Sequence, residues 1–308
     1  MPPGRSDRAP PWHHPVGVLV LGLGGFLAGV GLLLIGALQT DRSEAFVRSV
    51  RFAVWATVIG AQTAFWLLVA APLWSDVTSA WRRAKIGRSA TVALAAALIL
   101  ILVVFPMFSL AREVPWPLWG HQPKVRLLTL VGGLLVGVPA LSGIALVQQR
   151  VRLRAAGLIH TDDVRFAVEA RSETNRYLFV AGAVIGLAVL AAGALREATV
   201  PAFVPEDEFP QEGVLLYGAF FTGLLLLVYV PAHLALKRLG VRTRDGYFPL
   251  SKMPAPDSDS LKGWLDKRTT LEILLQLNVT PSQQLQTSLF ILAPLLSAVF
   301  TSLVPRPG

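Results

Sequence analysis

The chain has 308 residues, of which 53% are hydrophobic and only 15% charged, with a mean hydropathy of +0.56; soluble domains carry about a quarter charged residues, so this composition lies outside the soluble class. There is no cysteine, which excludes disulfides, thiolate metal centres and cysteine nucleophiles. Lys and Arg outnumber Asp and Glu by 28 to 19, a net charge of +9; the basic loops of membrane proteins account for that excess, and these loops lack the interleaved aromatics that stack on single-stranded nucleic acid.

Residues 1–15 are rich in proline and carry Arg5 and Arg8, which predicts a short disordered tail on the cytoplasmic side. Because a hydrocarbon core about 30 Å thick takes roughly 20 apolar helical residues to cross, each long uncharged run is a candidate span. The first is 16–38, where Gly25 and Gly29 fall on one face and allow a second helix to approach closely. The second is 52–74, with Trp55, Trp66 and Trp74 along it and Gln62 and Thr63 as its mid-span polar residues. A basic loop follows, then a third run at 90–110 and a fourth at 127–147, the latter holding the pair Gly133 and Gly137.

The stretch 148–176 is polar, and Thr161-Asp162-Asp163 is a helix-start signal: a hydroxyl caps free N–H groups, and acids suit the positive end of the helix dipole. Arg165 and Glu169 lie four apart, so a helix is expected from about Asp162 into the fifth span, 177–195, where Gly182 and Gly186 form another packing pair. An acidic loop leads to the sixth span at 214–236. Residues 237–284 form a cytoplasmic segment with an amphipathic helix around Leu261, Trp264, Leu265, Ile273 and Leu274. Thr280-Pro281-Ser282-Gln283 is a capping-box pattern that launches a seventh apolar run over 285–304.

The fold class is therefore all-α, a polytopic helical membrane protein with seven transmembrane helices; six is the alternative if 285–304 is re-entrant. A leucine- and valine-rich phrase ending in proline recurs at Pro72, Pro139 and Pro231, which suggests three tandem helical hairpins followed by a C-terminal helix. Those three prolines, with Pro106 and Pro294, are the candidate helix kinks. Counted over alternate loops, Lys and Arg divide 20 to 8, which places the N-terminus in the cytoplasm and the C-terminus outside. Arg far outnumbers Lys, a composition read as that of a GC-rich bacterium, so the membrane is taken as the bacterial plasma membrane.

None of the seven runs holds Asp, Glu, Lys or Arg in its interior, which weighs against a proton-coupled pathway. No phosphate-cradling loop, zinc ligand set or dinucleotide fingerprint occurs, and no catalytic, cofactor-binding or metal-ligating residue is assigned. Gln283, Thr287, Ser297 and Thr301 fall with Pro294 within about 80° on a helical wheel and are the candidate passage-lining residues. The reading is a non-enzymatic transport, channel or pore protein whose partners are the bilayer, anionic lipid included, and a second copy of itself or a soluble protein. The alternative is a membrane anchor or scaffold that binds a soluble partner through its cytoplasmic loops. Ser142-Gly143 and Ala232-His233 resemble the serine and histidine placement of rhomboid proteases, with Ala140 where that family has glycine. That resemblance implies, as a remote alternative, an intramembrane serine protease.

Overall fold

The structure is a computed structural model and describes residues 15–84, 116–158, 160, 162–200, 202–256, 258–277, 289–293 and 295–299. The described residues form helices and connecting turns, with no strand. In chain order these are α1 (Pro15–Leu34), the short α2 (Asp41–Val47), α3 (Val50–Ala84), α4 (His121–Ala156), α5 (Asp163–Thr199), α6 (Gln211–Tyr247) and α7 (Asp259–Leu274). Five of them, α1 and α3 to α6, are long and apolar enough to cross a membrane. The shorter apolar segment Leu289–Val299 falls within the expected seventh run. The third run, 90–110, and Pro106 within it lie outside the described residues.

Helices α3 to α6 form the core of the bundle, with α4 and α5 each packed on the other three, while α1 lies at one edge, mainly against α3. Glycine spacing explains that edge contact. Gly25, Gly29 and Leu33 are the buried residues of α1, each four residues after the last, so they form one stripe. A side chain at Gly25 would meet the Ala64 backbone 2.7 Å away. Thr63 Oγ1 donates to Gly25 O at 2.7 Å across this contact.

The helices are longer than their apolar runs. Expected to end at 74, α3 continues to Ala84, and α4 begins at His121, six residues before the apolar run. At 1.5 Å per residue the longest helices reach about 55 Å, far beyond the hydrocarbon core. Hydropathy marks where side chains are apolar, whereas backbone hydrogen bonding continues into water wherever helix formers and ion pairs sustain it. Arg165 and Glu169 form such a pair at 2.7 Å on α5.

Alternate loops gather at opposite ends of the bundle. At the basic end, Arg176 pairs with Asp76 of α3 at 2.7 Å, Arg154 with Asp163 at 2.5 Å, and Arg150 with Glu173. At the other, aromatic end, Phe46 meets Phe203 edge-on at 5.3 Å, Trp116 meets Phe209 at 5.5 Å, and Trp119 N–H donates to Ser43 Oγ at 3.2 Å.

The segment Leu289–Val299 runs parallel to α5. Phe290 packs edge-on to Phe179 at 5.2 Å, Gly182 faces the Phe290 carbonyl, Gly186 faces Ala293 and Ser297, and Ala298 is buried with Val189 and Val214. Contacts that advance together along both segments fix a parallel course. A Cβ at Gly186 would sit 3.7 Å from the Ala293 Cβ, within the range a disulfide bridges. In this cysteine-free chain, the double variant Gly186→Cys/Ala293→Cys is therefore expected to crosslink under oxidation, seen as a reductant-reversible gel shift.

Candidate functional site

The most unusual backbone in the bundle lies inside α4. Gly133–Gly137 forms a π-turn in which the Val138 N–H reaches back five residues to Gly133 O. Pro139 follows directly. Its ring lacks an N–H and crowds the carbonyl four residues earlier, at Leu135, and widening the preceding turn relieves that conflict. The π-turn packs against both α3 and α5.

Opposite it on α3 sits Trp66, 3% exposed, whose ring occupies the space that a side chain at Gly132 would need. Among the described residues, its indole Nε1–H has no hydrogen-bond partner. Gln62, one turn earlier, is 7% exposed, and Thr63 beside it bonds to Gly25 O and back to Ile59 O at 3.0 Å. A buried donor without an acceptor forfeits about 1–3 kcal/mol, and π-turns occur often at working sites in helices.

The two ends of the bundle are closed by different chemistry. At the aromatic end His121 is stacked on Trp116 at 4.1 Å and lies 5.8 Å from Trp55. Lys124, one turn on, is 7% exposed and donates from Nζ to Leu33 O at 3.0 Å and Ile35 O at 2.5 Å. It caps the carbonyl end of α1 from a different helix. Buried Arg196 binds Phe209 O at 3.0 Å, Glu197 at 3.0 Å and Glu206 at 2.8 Å, tying the acidic loop to the end of α5.

At the basic end α7 docks on α6. Arg244 bonds Glu272 at 3.0 Å, Arg268 bonds Asp245 at 3.0 Å and Phe248 O, and Trp264 packs edge-on to Phe248 at 6.0 Å. Leu275 and Leu277 cover Gly240. The buried face of α7 is Arg268 and Leu271, followed by Leu275, whereas Leu265, Ile273 and Leu274 of the expected apolar face are exposed. The helix ends in a Schellman motif: Leu277 N–H donates to Glu272 O, Gln276 N–H donates to Ile273 O, and Gln276 takes φ 48°. That left-handed position favours glycine. Gln276→Gly is accordingly expected to stabilise the docked α7 by about 0.5–1 kcal/mol, measured as slower amide exchange over 259–277.

The residues singled out in the sequence fall as follows. Ser297 faces Gly186 of α5, while Gln283, Thr287, Thr301 and Pro294 lie outside the described residues. Helices α3 and α6 continue through Pro72 and Pro231, and Pro139 adjoins the π-turn. Gly25, Gly29 and Gly182 are close-approach sites and Gly186 makes ordinary contact with Ala293 and Ser297, but in α4 the close contacts are made by Gly132 and Gly143 rather than Gly133 and Gly137. Thr161 lies outside the described residues, and Asp163 accepts from His160 N–H at 3.0 Å while pairing with Arg154. Ser142 is buried on α4, but His233 Nδ1 lies 3.2 Å from Tyr229 Oη and no hydrogen bond joins it to Ser142. The base-activated serine of the protease reading is not assembled.

No family model, curated protein or solved structure matches this chain. Lys124 and the π-turn were missed by sequence reasoning, which named Trp66 along the second span but not its buried place beside that turn. The signal for the π-turn was Pro139 preceded by Gly132, Gly133 and Gly137 within one run.

Proposed function

We propose that this multi-pass membrane protein has a non-enzymatic transport or channel role in a bacterial plasma membrane, with α4 bending at its π-turn as the moving joint. The observation that carries the reading is the Trp66 indole N–H, buried beside that turn and without a hydrogen-bond partner among the described residues. A polar solute or a water chain passing between α3 and α4 would supply the missing acceptor. Positive-inside counting puts the basic end and the N-terminus in the cytoplasm, so α7 docks on the cytoplasmic side of the passage.

The test is solute and ion flux in liposomes reconstituted with the protein. Trp66→Phe removes the N–H together with the part of the indole that packs on Gly132, so it is expected to lower thermal stability by about 1–3 kcal/mol. Benzothienylalanine at position 66, which keeps the bicyclic shape and lacks the N–H, should keep that stability, and both are expected to lower flux about tenfold, the equivalent of one hydrogen bond. Native protein that passes no solute tested, or a Phe variant that conducts as well as native, would sink this reading.

A second reading, a scaffold for a soluble partner, is favoured by one observation. Leu265, Ile273 and Leu274 stay exposed on α7, beyond the apolar stretch of α6, where apolar surface suits a protein contact. Replacing all three with serine leaves flux unchanged if the passage is the function and abolishes partner retention if the scaffold is.

A further inference from the structure

At the basic end two cationic side chains, Arg171 and Lys237, act on one histidine, His233, and none of the three pairs with a carboxylate among the described residues. Arg171 of α5 is partly buried, and its Nη1 donates to Gln276 O at 3.0 Å. Tyr229, His233 and Lys237 follow one another at four-residue intervals on α6, so they form a single stripe. The charges of Arg171 and Lys237 both act on the His233 ring, and Arg171 and Tyr229 also lie within electrostatic reach of one another. Several nearby arginines are matched with acids: Arg150 with Glu173, Arg154 with Asp163, Arg176 with Asp76, Arg244 and Arg268 with Asp245 and Glu272. Arg152 and Arg238, which form no ion pair among the described residues, are exposed, unlike the partly buried Arg171. Among the described residues, Arg171, His233 and Lys237 form no ion pair with any acid.

A guanidinium drawn partly out of water without a counter-ion is costly. An anion from outside the chain removes that cost. Its depth identifies the anion's chemistry. The apolar stretch of α6 ends at Leu236, so Lys237 lies at the rim and His233 one turn inside it, the level at which phosphates of a leaflet lie. Just deeper and beside the stripe, Leu227, Val230 and Leu234 are exposed on α6, an apolar bed for acyl chains.

We propose that Arg171, His233 and Lys237, with Tyr229 Oη, form a site for a phosphate group carried by the headgroup of an anionic phospholipid in the leaflet at the basic end. The planar guanidinium takes two phosphate oxygens side by side, and the Lys237 ammonium, on its flexible stem, reaches in from the rim as a point charge. The site needs only that the basic end meets a membrane surface, and it stands whether or not the bundle conducts.

The experiment reconstitutes the full chain in nanodiscs of equimolar phosphatidylglycerol and phosphatidylcholine, then counts lipid retained on the protein by native mass spectrometry. Native protein is expected to retain phosphatidylglycerol preferentially. Lys237→Gln should cut the preference about fivefold and Arg171→Gln/Lys237→Gln about thirtyfold, as two near-surface cations predict. Because Arg171 also holds Gln276, Arg171→Lys is included; it keeps the charge and should keep most of the preference even if α7 loosens. Lys262→Gln/Lys267→Gln, both exposed on α7, should change nothing. Unaltered preference in the folded Arg171/Lys237 double variant overturns the proposal. In phosphatidylcholine-only discs, stabilisation by millimolar inorganic phosphate that the double variant loses, without selective retention of phosphatidylglycerol, supports the phosphate site with a soluble bearer. No response to either anion overturns the site itself.

Discussion

Replacing Lys124 with methionine is expected to lower the stability of the protein by about 2–4 kcal/mol, read as a fall in thermal midpoint in detergent or nanodiscs. The methionine retains the apolar stem and its packing, so the loss isolates the ammonium. Two hydrogen bonds disappear, from Nζ to Leu33 O and Ile35 O, and both carbonyls belong to the end of α1, where no intrahelical donor remains for them. A cation at the negative end of the helix dipole disappears with them. The Trp119 ring, whose centroid is 5.8 Å from Nζ, also loses its cation. Water does not compensate well, since Lys124 is 7% exposed. Unfolding should start at α1, so protease sites in 35–40 should open before those in the α5–α6 connection. A variant as stable as native would show that Lys124 contributes nothing to the α1–α4 joint.

Gly25→Leu is expected to separate α1 from α3, with a loss of about 3 kcal/mol or more. Overpacking is often relieved when the obstructing atom is the tip of a flexible side chain. Here the obstacles are backbone, the Ala64 Cα at 2.7 Å and the Thr63 carbonyl at 2.8 Å from the new Cβ. Retreat of α1 also breaks the Thr63 Oγ1 bond to Gly25 O. The control is Gly24→Leu, at a neighbouring position with open space in place of a contact, which should be neutral in lipid. Equal effects of the two substitutions would mean that helix propensity, and not the α1–α3 contact, sets the cost.

These two residues show what was legible in the sequence and what was not. The Gly25 contact was readable because small residues four apart in an apolar run have one common physical use, close approach of a second helix. The same logic located Gly182 and Gly186, and a capping signal with an (i, i+4) ion pair located the start of α5 to within a residue. Lys124 was not readable. Hydropathy assigned it to a loop, because a charge ends an apolar window whether or not the helix ends there. Its partners are carbonyls about 90 residues away, which leave no mark on local sequence. The docked face of α7 was misread for a related reason. Periodicity finds the most apolar face, but α6 offers Arg244, Asp245 and a bare Gly240, and the face that fits those carries Arg268 and Leu271, with Leu275 behind it.

The parallel course of Leu289–Val299 along α5 bears on how the protein is made. The face of α5 that presents Gly182 and Gly186 receives Phe290, Ala293 and Ser297, which leave the ribosome only after α6 and α7 have been synthesised. At roughly 5–20 residues per second, that face is bare towards lipid for several seconds. A helix surface with glycines in a row is also what attracts a wrong helix, from the same chain or another. Correct assembly therefore depends on the last apolar segment arriving before a competitor does. Ending the chain ahead of Leu289 would leave 288 of its 308 residues intact while exposing the surface most prone to mispairing.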